Sequence, residues 1–204
     1  MKRQHVLGIV LCGGLWGLSE ALLGGRLYAA GFRQAAPVVL AVVAFAILTV
    51  GRLHVPWPGS SAAIAALAML FKFLNEPFFA CHLLGIFLLG AAFDAAWSLA
   101  RGRTQPIVGA AATYAGFALF ALTITYVFRY HYWVVGGWPK VAWHVGVLGT
   151  IAAACNAVVV PLAAAADKRI AALSARHASW RVWASRAGAA AAAALWAFAV
   201  VVYV

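Results

Sequence analysis

The chain has 204 residues, of which 66% are hydrophobic and 9% are charged, and its formal net charge is +11. This composition excludes a soluble globular domain and indicates an integral membrane protein. The positive charge does not predict nucleic-acid binding, because the basic residues lie in short connectors between apolar segments, where they set membrane orientation. The sequence contains no basic patch that could follow a phosphate backbone.

The apolar segments are hydrophobic on all sides and rich in Ala, Gly and Leu. They predict helices rather than the alternating strands of a barrel. At about 20 residues per span, the chain has room for six to seven helices and no separate soluble domain. We expect an all-α, polytopic transmembrane bundle in which residues 1–204 form a single integral membrane domain. The predicted spans are Val6–Leu23, Ala35–Gly51, Ser60–Leu74, Phe78–Ala100, Ile107–Phe128, Val141–Ala166 and Gly188–Val204.

The first span follows a short basic leader and carries an acidic residue. A signal peptide would have a featureless apolar core, whereas Trp16 and Glu20 interrupt this one, so we expect a retained helix. Gly13 and Gly17 fall on the same face as Glu20, and their small-xxx-small spacing lets another helix approach closely. Two interpretations of Glu20 stand: it faces a pocket inside the protein, or it meets water at the membrane boundary.

The stretch from Leu70 to Ala96 is apolar except for Lys72, Asn75, Glu76, Pro77, His82 and Asp94. Ionisable side chains inside a membrane are costly unless they face a partner or water, so this group marks a candidate site. Lys72 and Glu76 are four residues apart and can pair if the helix continues that far. Pro77 then interrupts the helix. This pattern fits a broken-helix binding site, and it also fits a plain turn outside the membrane.

A repeated spacing adds two candidates further along the chain. His82 precedes Asp94 by twelve residues, and His144 precedes Asn156 by the same twelve. If the fourth and sixth helices run in the same direction, the two pairs lie at matching depths. Asp94 shares a face with small residues but is also close to Arg101. It therefore either packs toward protein or lies as an acid at the membrane interface.

Lysine and arginine are concentrated in alternate connectors. One side holds Lys2, Arg3, Arg52, Arg101, Arg103, Lys168, Arg169, Arg176 and Arg181, and the other holds Arg26, Arg33, Arg129 and Lys140. The positive-inside rule then predicts an inner (plasma) membrane protein with a cytoplasmic N-terminus. This topology brings one group toward the external face, namely Glu20, Lys72, Glu76, His82 and His144. Asp94 and Asn156 lie nearer the cytoplasm.

The size, the helix number and the outward pocket resemble the S components, which are the substrate-binding membrane subunits of energy-coupling-factor vitamin transporters. The residues that carry this resemblance are Gly13, Gly17 and Gly24 with Glu20, and the turn from Phe71 to Pro77. The resemblance implies a bundle of six helices. It also implies a separate ATP-driven module as a partner that supplies the energy.

We therefore predict a membrane protein that binds a small solute and helps to import it from the external side. The predicted substrate-binding residues are Glu20, Lys72, Asn75, Glu76, His82, Asp94, His144 and Asn156. Its other partners are membrane lipids, and we expect no resident cofactor or metal.

A structural or assembly role, in which the glycine faces alone hold partner proteins, stays open, and so do two further alternative functions. A metal or haem could bind near Cys81 and His82, which adjoin Glu76, with His144 opposite. A membrane-embedded enzyme acting on a lipid-linked substrate could use Glu20, Glu76 and His82 as acid or base groups. Enzyme activity is the less favoured alternative, because the sequence has no nucleophile motif and no phosphate-binding glycine loop.

Overall fold

The structure is a computed structural model that describes residues 3–74, 80–100 and 105–175, with positions 190, 193, 194, 196 and 197. Within this part of the chain there are six helices and no strands, which confirms the all-α prediction. Five of the helices are long and apolar enough to cross a membrane, and the third is shorter. The chain is therefore a multi-pass membrane protein.

Each of the first six predicted spans corresponds to one helix. The long helices are α1 (Arg3–Ala29), α2 (Ala36–His54), α4 (Ala80–Ala100), α5 (Gln105–Val127) and α6 (His131–Leu173). The short α3 (Ser60–Leu70) continues as the 3-10 turn Phe71–Leu74. The seventh predicted span, Gly188–Val204, lies mostly outside the described residues.

The helices pack as a closed ring. Its principal neighbours are α1 with α3, α3 with α4, α4 with α5, α5 with α6, α6 with α2, and α2 with α1. Short connectors join successive helices, so the chain alternates between the two ends of the bundle. We call these the Arg52 end, where α2 finishes and α3 begins, and the Lys72 end, where α3 finishes and α4 begins.

The glycine face of α1 packs closely against another helix, as the sequence predicted, and that helix is α3. A Cβ atom added at Gly13 would lie 2.7 Å from Leu67 Cβ, and one at Gly17 would clash with the Phe71 ring. Glu20, on the same face, is buried. Close packing therefore turns Glu20 toward protein and away from water at the membrane boundary.

Irregular turns lie in the half of the bundle toward the Lys72 end. The described helices contain π-helical turns at Glu20–Gly24, Thr123–Val127 and His144–Leu148. The 3-10 turn Phe71–Leu74 ends α3 here, and Gly137 breaks the helical geometry of α6 with φ 55° and ψ −155°. Such turns interrupt the regular hydrogen-bond ladder and are frequent at functional sites. This half of the bundle is therefore where a site is expected.

Two predicted connectors were wrong in part. Residues 24–34 were predicted as a connector, but α1 continues to Ala29 because the π-helical turn carries the helix onward. Residues 129–140 were also predicted as a connector, but they are helical from His131. The break is confined to Gly137, two residues before Pro139, which cannot donate a backbone hydrogen bond. Proline is well accommodated there, in the first turn of the resumed helix.

Candidate functional site

A buried ion pair joins α1 to α3 at the Lys72 end. Lys72 Nζ lies 3.2 Å from Glu20 Oε2, and it also donates a 3.1 Å hydrogen bond to the Glu20 backbone oxygen. The Trp16 indole N–H donates to Glu20 Oε1 at 3.2 Å. Glu20 is 7% exposed and Lys72 is 5% exposed. Each charge is thus removed from lipid and compensated by the other.

Local backbone structure explains how the two charges meet. Glu20 begins the π-helical turn of α1, and Lys72 belongs to the 3-10 turn that ends α3. Gly24 has no side chain to fill the space beside the ammonium group, since an added Cβ would lie 3.7 Å from Lys72 Nζ. Gly17, about two turns before Gly24, allows α3 to approach α1 closely. The small residues and the irregular turns together create room for the pair.

Three other side chains surround this pair. The Tyr28 ring lies 5.6 Å from the His82 ring between centroids, with the planes tilted by 30°. Cys81 precedes His82 in the first turn of α4, and the turn that begins at Glu20 packs against the turn that contains Lys72. The second half of α1 therefore meets both the end of α3 and the first turn of α4. We call this group of five residues the Glu20–Lys72 cluster.

The structure pairs Lys72 with Glu20, whereas the predicted pairing of Lys72 with Glu76 lies outside the described residues. Asn75 and Glu76 lie outside the described residues, as does Pro77, so their part in the site stays a prediction. Glu20, the partner that the structure gives to Lys72, is 52 residues away along the chain. Helix packing, rather than local spacing, selects this partner.

His144 lies in a separate aromatic cluster between α5 and α6. Its ring stacks on Phe117 at a centroid distance of 4.9 Å, and the Trp133 ring meets it edge-on at 5.1 Å. The structure therefore brings His82, but not His144, into the Glu20–Lys72 cluster. The haem alternative requires the His82 and His144 rings to face a shared site. The two rings instead pack against different aromatic partners, so the structure does not support that alternative. Among the described residues, no group of three or more His, Cys, Asp or Glu side chains is placed to hold a metal ion.

Asp94 lies at the opposite end of the bundle and caps α3. Its carboxylate accepts hydrogen bonds from the backbone N–H of Gly59 at 2.6 Å and of Ser61 at 3.2 Å. Amide groups at a helix start lack partners within the helix and carry positive partial charge, so a carboxylate there is stabilising. Asp94 thus packs toward protein, which was one of its two predicted placements.

Arg52 holds the Asp94 carboxylate in place. Its Nη1 lies 3.2 Å from Asp94 Oδ1 and donates to Ser60 Oγ at 2.9 Å, while Nη2 donates to Ser98 Oγ at 2.8 Å. Nη1 also donates to the backbone oxygen of Trp57. Arg52 therefore connects α2, α3 and α4. Sequence reasoning used Arg52 only for orientation, although the connector charges already placed it and Asp94 on the same side of the membrane.

Asn156 links α5 to α6 away from the Glu20–Lys72 cluster. Its Nδ2 donates to Thr113 Oγ1 at 2.9 Å, and Thr113 donates in turn to the Gly109 backbone oxygen at 2.7 Å. Asn156 is fully buried. Its Nδ2 contact fixes the packing of two helices, and its Oδ1 has no hydrogen-bond partner among the described residues.

The Glu20–Lys72 cluster combines an acceptor and a donor of opposite charge with a phenol, a thiol and an imidazole. Its two charges cancel, so a bound group that replaces one partner must compensate the charge left behind. Comparisons with protein families, with curated proteins and with solved structures find no match for this chain.

Proposed function

We propose that the protein binds a small polar solute at the Glu20–Lys72 cluster from the external side of the membrane and helps to import it. The observation that supports this most directly is the buried ion pair itself. Withdrawing two charges from water costs several kcal/mol per ion, and apolar replacements of such pairs are often neutral or stabilising. Ionisable residues kept within a membrane bundle are accordingly functional candidates.

The location of the pair supports solute capture. Lys72 lies in the 3-10 turn that ends α3, and α1 departs from regular α-helix at Glu20 itself. Transporter sites are commonly built from interrupted helices, because the released backbone groups and buried charges then face the solute. The solute that best fits carries an anionic or acceptor group for Lys72 and a cationic or donor group for Glu20.

The direction of binding rests on the connector charges. With the N-terminus cytoplasmic, the Arg52 end faces the cytoplasm and the Lys72 end faces outward. The inner (plasma) membrane is the proposed location. By resemblance to S components, a separate ATP-driven module supplies the energy and would meet the protein from the cytoplasmic side.

Native mass spectrometry of the purified protein tests this function. We expect wild-type protein released from detergent to carry a polar molecule of a few hundred daltons. Lys72→Met should lower its occupancy about tenfold or more, because a charge-assisted hydrogen bond is lost. The Glu20→Gln/Lys72→Met double variant separates binding from folding, since it leaves no single buried charge. Asp167→Asn, at the Arg52 end, is the control and should retain the molecule.

Several results would contradict the proposal. Wild-type protein without any bound polar molecule would count against it, as would a double variant that keeps the molecule at wild-type occupancy. A stoichiometric metal or a haem absorption band would favour the metalloprotein alternative. An isoprenoid or other lipid-linked molecule in place of a polar solute would favour the enzyme.

A further inference from the structure

A tryptophan from the last apolar segment of the chain lies on the surface formed by α1 and α3. Trp196 is helical, and its ring lies edge-on to the Phe71 ring, with 4.7 Å between the centroids and 62° between the planes. Its indole N–H also donates a long hydrogen bond, of 3.5 Å, to the Val10 backbone oxygen. Trp196 therefore contacts α1 and the end of α3 at once.

Phe71 is held by two neighbours. A Cβ atom added at Gly17 would clash with the Phe71 ring, so this ring rests directly on the α1 backbone. The second neighbour is the Trp196 ring, and aromatic rings in edge-to-face contact stabilise each other beyond the burial of their surfaces. Phe71 is 1% exposed as a result.

The position of Phe71 bears directly on the Glu20–Lys72 cluster. Phe71 begins the 3-10 turn Phe71–Leu74, and Lys72 is the next residue of that turn. On α1, Gly17 and Glu20 are three residues apart and share a face. The contact of Phe71 with Gly17 and the ion pair of Lys72 with Glu20 are therefore adjacent contacts between the same two helices. Displacement of the Phe71 ring would move the backbone that carries Lys72.

The course of the chain agrees with this placement of Trp196. The Arg52 end holds both the last part of α6 and the start of α1. Val10 lies about 10 Å along α1 from its first residue. Arg186 is the last basic residue of the sequence, and a helix that left the same membrane surface there would carry Trp196 about 15 Å inward. The two depths are close enough for Trp196 to reach Val10.

We propose that residues 188–204 cross the membrane as a helix that docks on α1 and α3, and that Trp196 positions Lys72 in the Glu20–Lys72 cluster. This segment contains no charged residue, which suits a helix in the hydrocarbon core. Trp196 acts through Phe71, because Phe71 belongs to the turn that presents Lys72 to Glu20. The consequence for solute binding rests on the function proposed above.

Cross-linking tests the docking. With the three native cysteines replaced by alanine, a short bismaleimide should link Val10→Cys/Trp196→Cys within one chain, which tandem mass spectrometry of the digested monomer detects. Leu119→Cys/Trp196→Cys is the control, because Leu119 is an exposed residue of α5, which lies across the ring from α1. Absence of a link in the first variant would overturn the docking, as would equal links in both.

Acetylation of lysines by an N-hydroxysuccinimide ester of acetic acid tests the positioning role. Lys72 is 5% exposed and paired, so wild-type protein should protect it. Trp196→Ala should raise the acetylation rate of Lys72 about threefold, because the aromatic contact that supports its turn is lost. Trp196→Phe keeps a ring against Phe71 and should restore protection. Lys140, which lies on α6, is the internal control for general unfolding and should react equally in all variants.

The outcomes separate this role from solute binding. Unchanged acetylation of Lys72 in Trp196→Ala would overturn the positioning role, and so would an equal rise at Lys140. In native mass spectrometry, the polar molecule retained by wild-type protein should fall about threefold in Trp196→Ala. Acetylation of Lys72 does not require a solute, so wild-type protein without any polar molecule would contradict the proposed function alone.

Discussion

Glu20 and Lys72 depend on each other because neither charge has another described ionic partner. Lys72→Met leaves the Glu20 carboxylate buried with only the Trp16 indole as a described donor. We expect this variant to lower the free energy of unfolding by about 3–5 kcal/mol. Glu20→Gln/Lys72→Met should recover most of the loss. Denaturant titration of detergent-solubilised protein measures Lys72→Met, Glu20→Gln and the double variant. A loss in the double variant equal to the sum of the two single losses would contradict this coupling.

Asp94 and Asp167 provide a second comparison at the level of single residues. Asp94 accepts two backbone hydrogen bonds and pairs with buried Arg52, so Asp94→Asn should lower the free energy of unfolding by about 3 kcal/mol. Asp167 pairs with His54, whose side chain is 60% exposed. Asp167→Asn should therefore cost less than about 1 kcal/mol. The same titration checks this order, and equal losses would refute it.

Sequence reasoning identified the charged candidates but not their partners. Glu20 and Lys72 were recognisable because ionisable residues are rare in apolar spans. Their pairing was not, because 52 residues separate them and Glu76 is the nearer partner by helical spacing. Tyr28 was missed entirely, since one tyrosine near a helix end is indistinguishable from a residue of the interfacial belt.

Glycine residues allow helix pairs in this ring to pack closely. We therefore expect substitution of these glycines to destabilise the protein, and substitution of glycines outside helix contacts to have little effect. A Cβ at Gly90 would clash with Ala65, and one at Gly109 would clash with the backbone oxygen of Asn156. Gly90→Ala and Gly109→Ala should each cost about 1–3 kcal/mol, because neither neighbour can move without displacing a helix. Gly146 has no neighbour within 4 Å among the described residues, so Gly146→Ala is the control.

Measuring the unfolding of the three glycine variants in detergent separates two effects. One is the loss of close contact between helices, and the other is the intrinsic preference of alanine over glycine in a helix. In exposed helices alanine is favoured over glycine by about 1 kcal/mol, so Gly146→Ala should be neutral or stabilising. Comparable destabilisation of all three would show that the glycines serve backbone flexibility instead of close contact between helices.

The helices were predictable and their irregular turns were not. Spans of about 20 apolar residues identify a membrane helix whatever its neighbours. A π-helical turn such as Glu20–Gly24 adds one residue to a turn without changing the apolar character of the segment, so hydropathy does not reveal it. Gly136-Gly137 followed by Pro139 was a usable signal for the break in α6, yet it was assigned to a connector.

The two ends of the whole bundle differ in construction. Arg52 connects α2, α3 and α4 at one end, and a hydrogen bond between His54 and Asp167 joins α2 to α6 there. The other end holds the π-helical turns, the 3-10 turn and the proposed solute site. Side-chain hydrogen bonds join the helices at the Arg52 end, whereas the helices are irregular at the Lys72 end. This difference suits a protein that admits a ligand from the Lys72 end only.

Membrane orientation is the first prediction for the whole molecule. Arg33→Cys places a thiol at the exposed connector of the Lys72 end, and His54→Cys places one at the Arg52 end. With Cys12, Cys81 and Cys155 replaced by alanine, an impermeant maleimide should label Arg33→Cys in intact cells. His54→Cys should react only after permeabilisation. The reverse pattern would contradict an external site, whereas the ring fold would be unaffected.

Closure of the helix ring by contact between α2 and α6 is the second prediction for the whole molecule. His54 and Asp167 are 113 residues apart in sequence, yet His54 Nε2 lies 2.8 Å from Asp167 Oδ1. In the cysteine-free background, His54→Cys/Asp167→Cys should therefore be linked within one chain by a short bismaleimide. His54→Cys/Lys140→Cys is the control, because its two thiols would lie at opposite ends of the bundle. A bundle in which α2 did not meet α6 would give no link in either variant, since only their contact brings the last turn of α2 to Asp167.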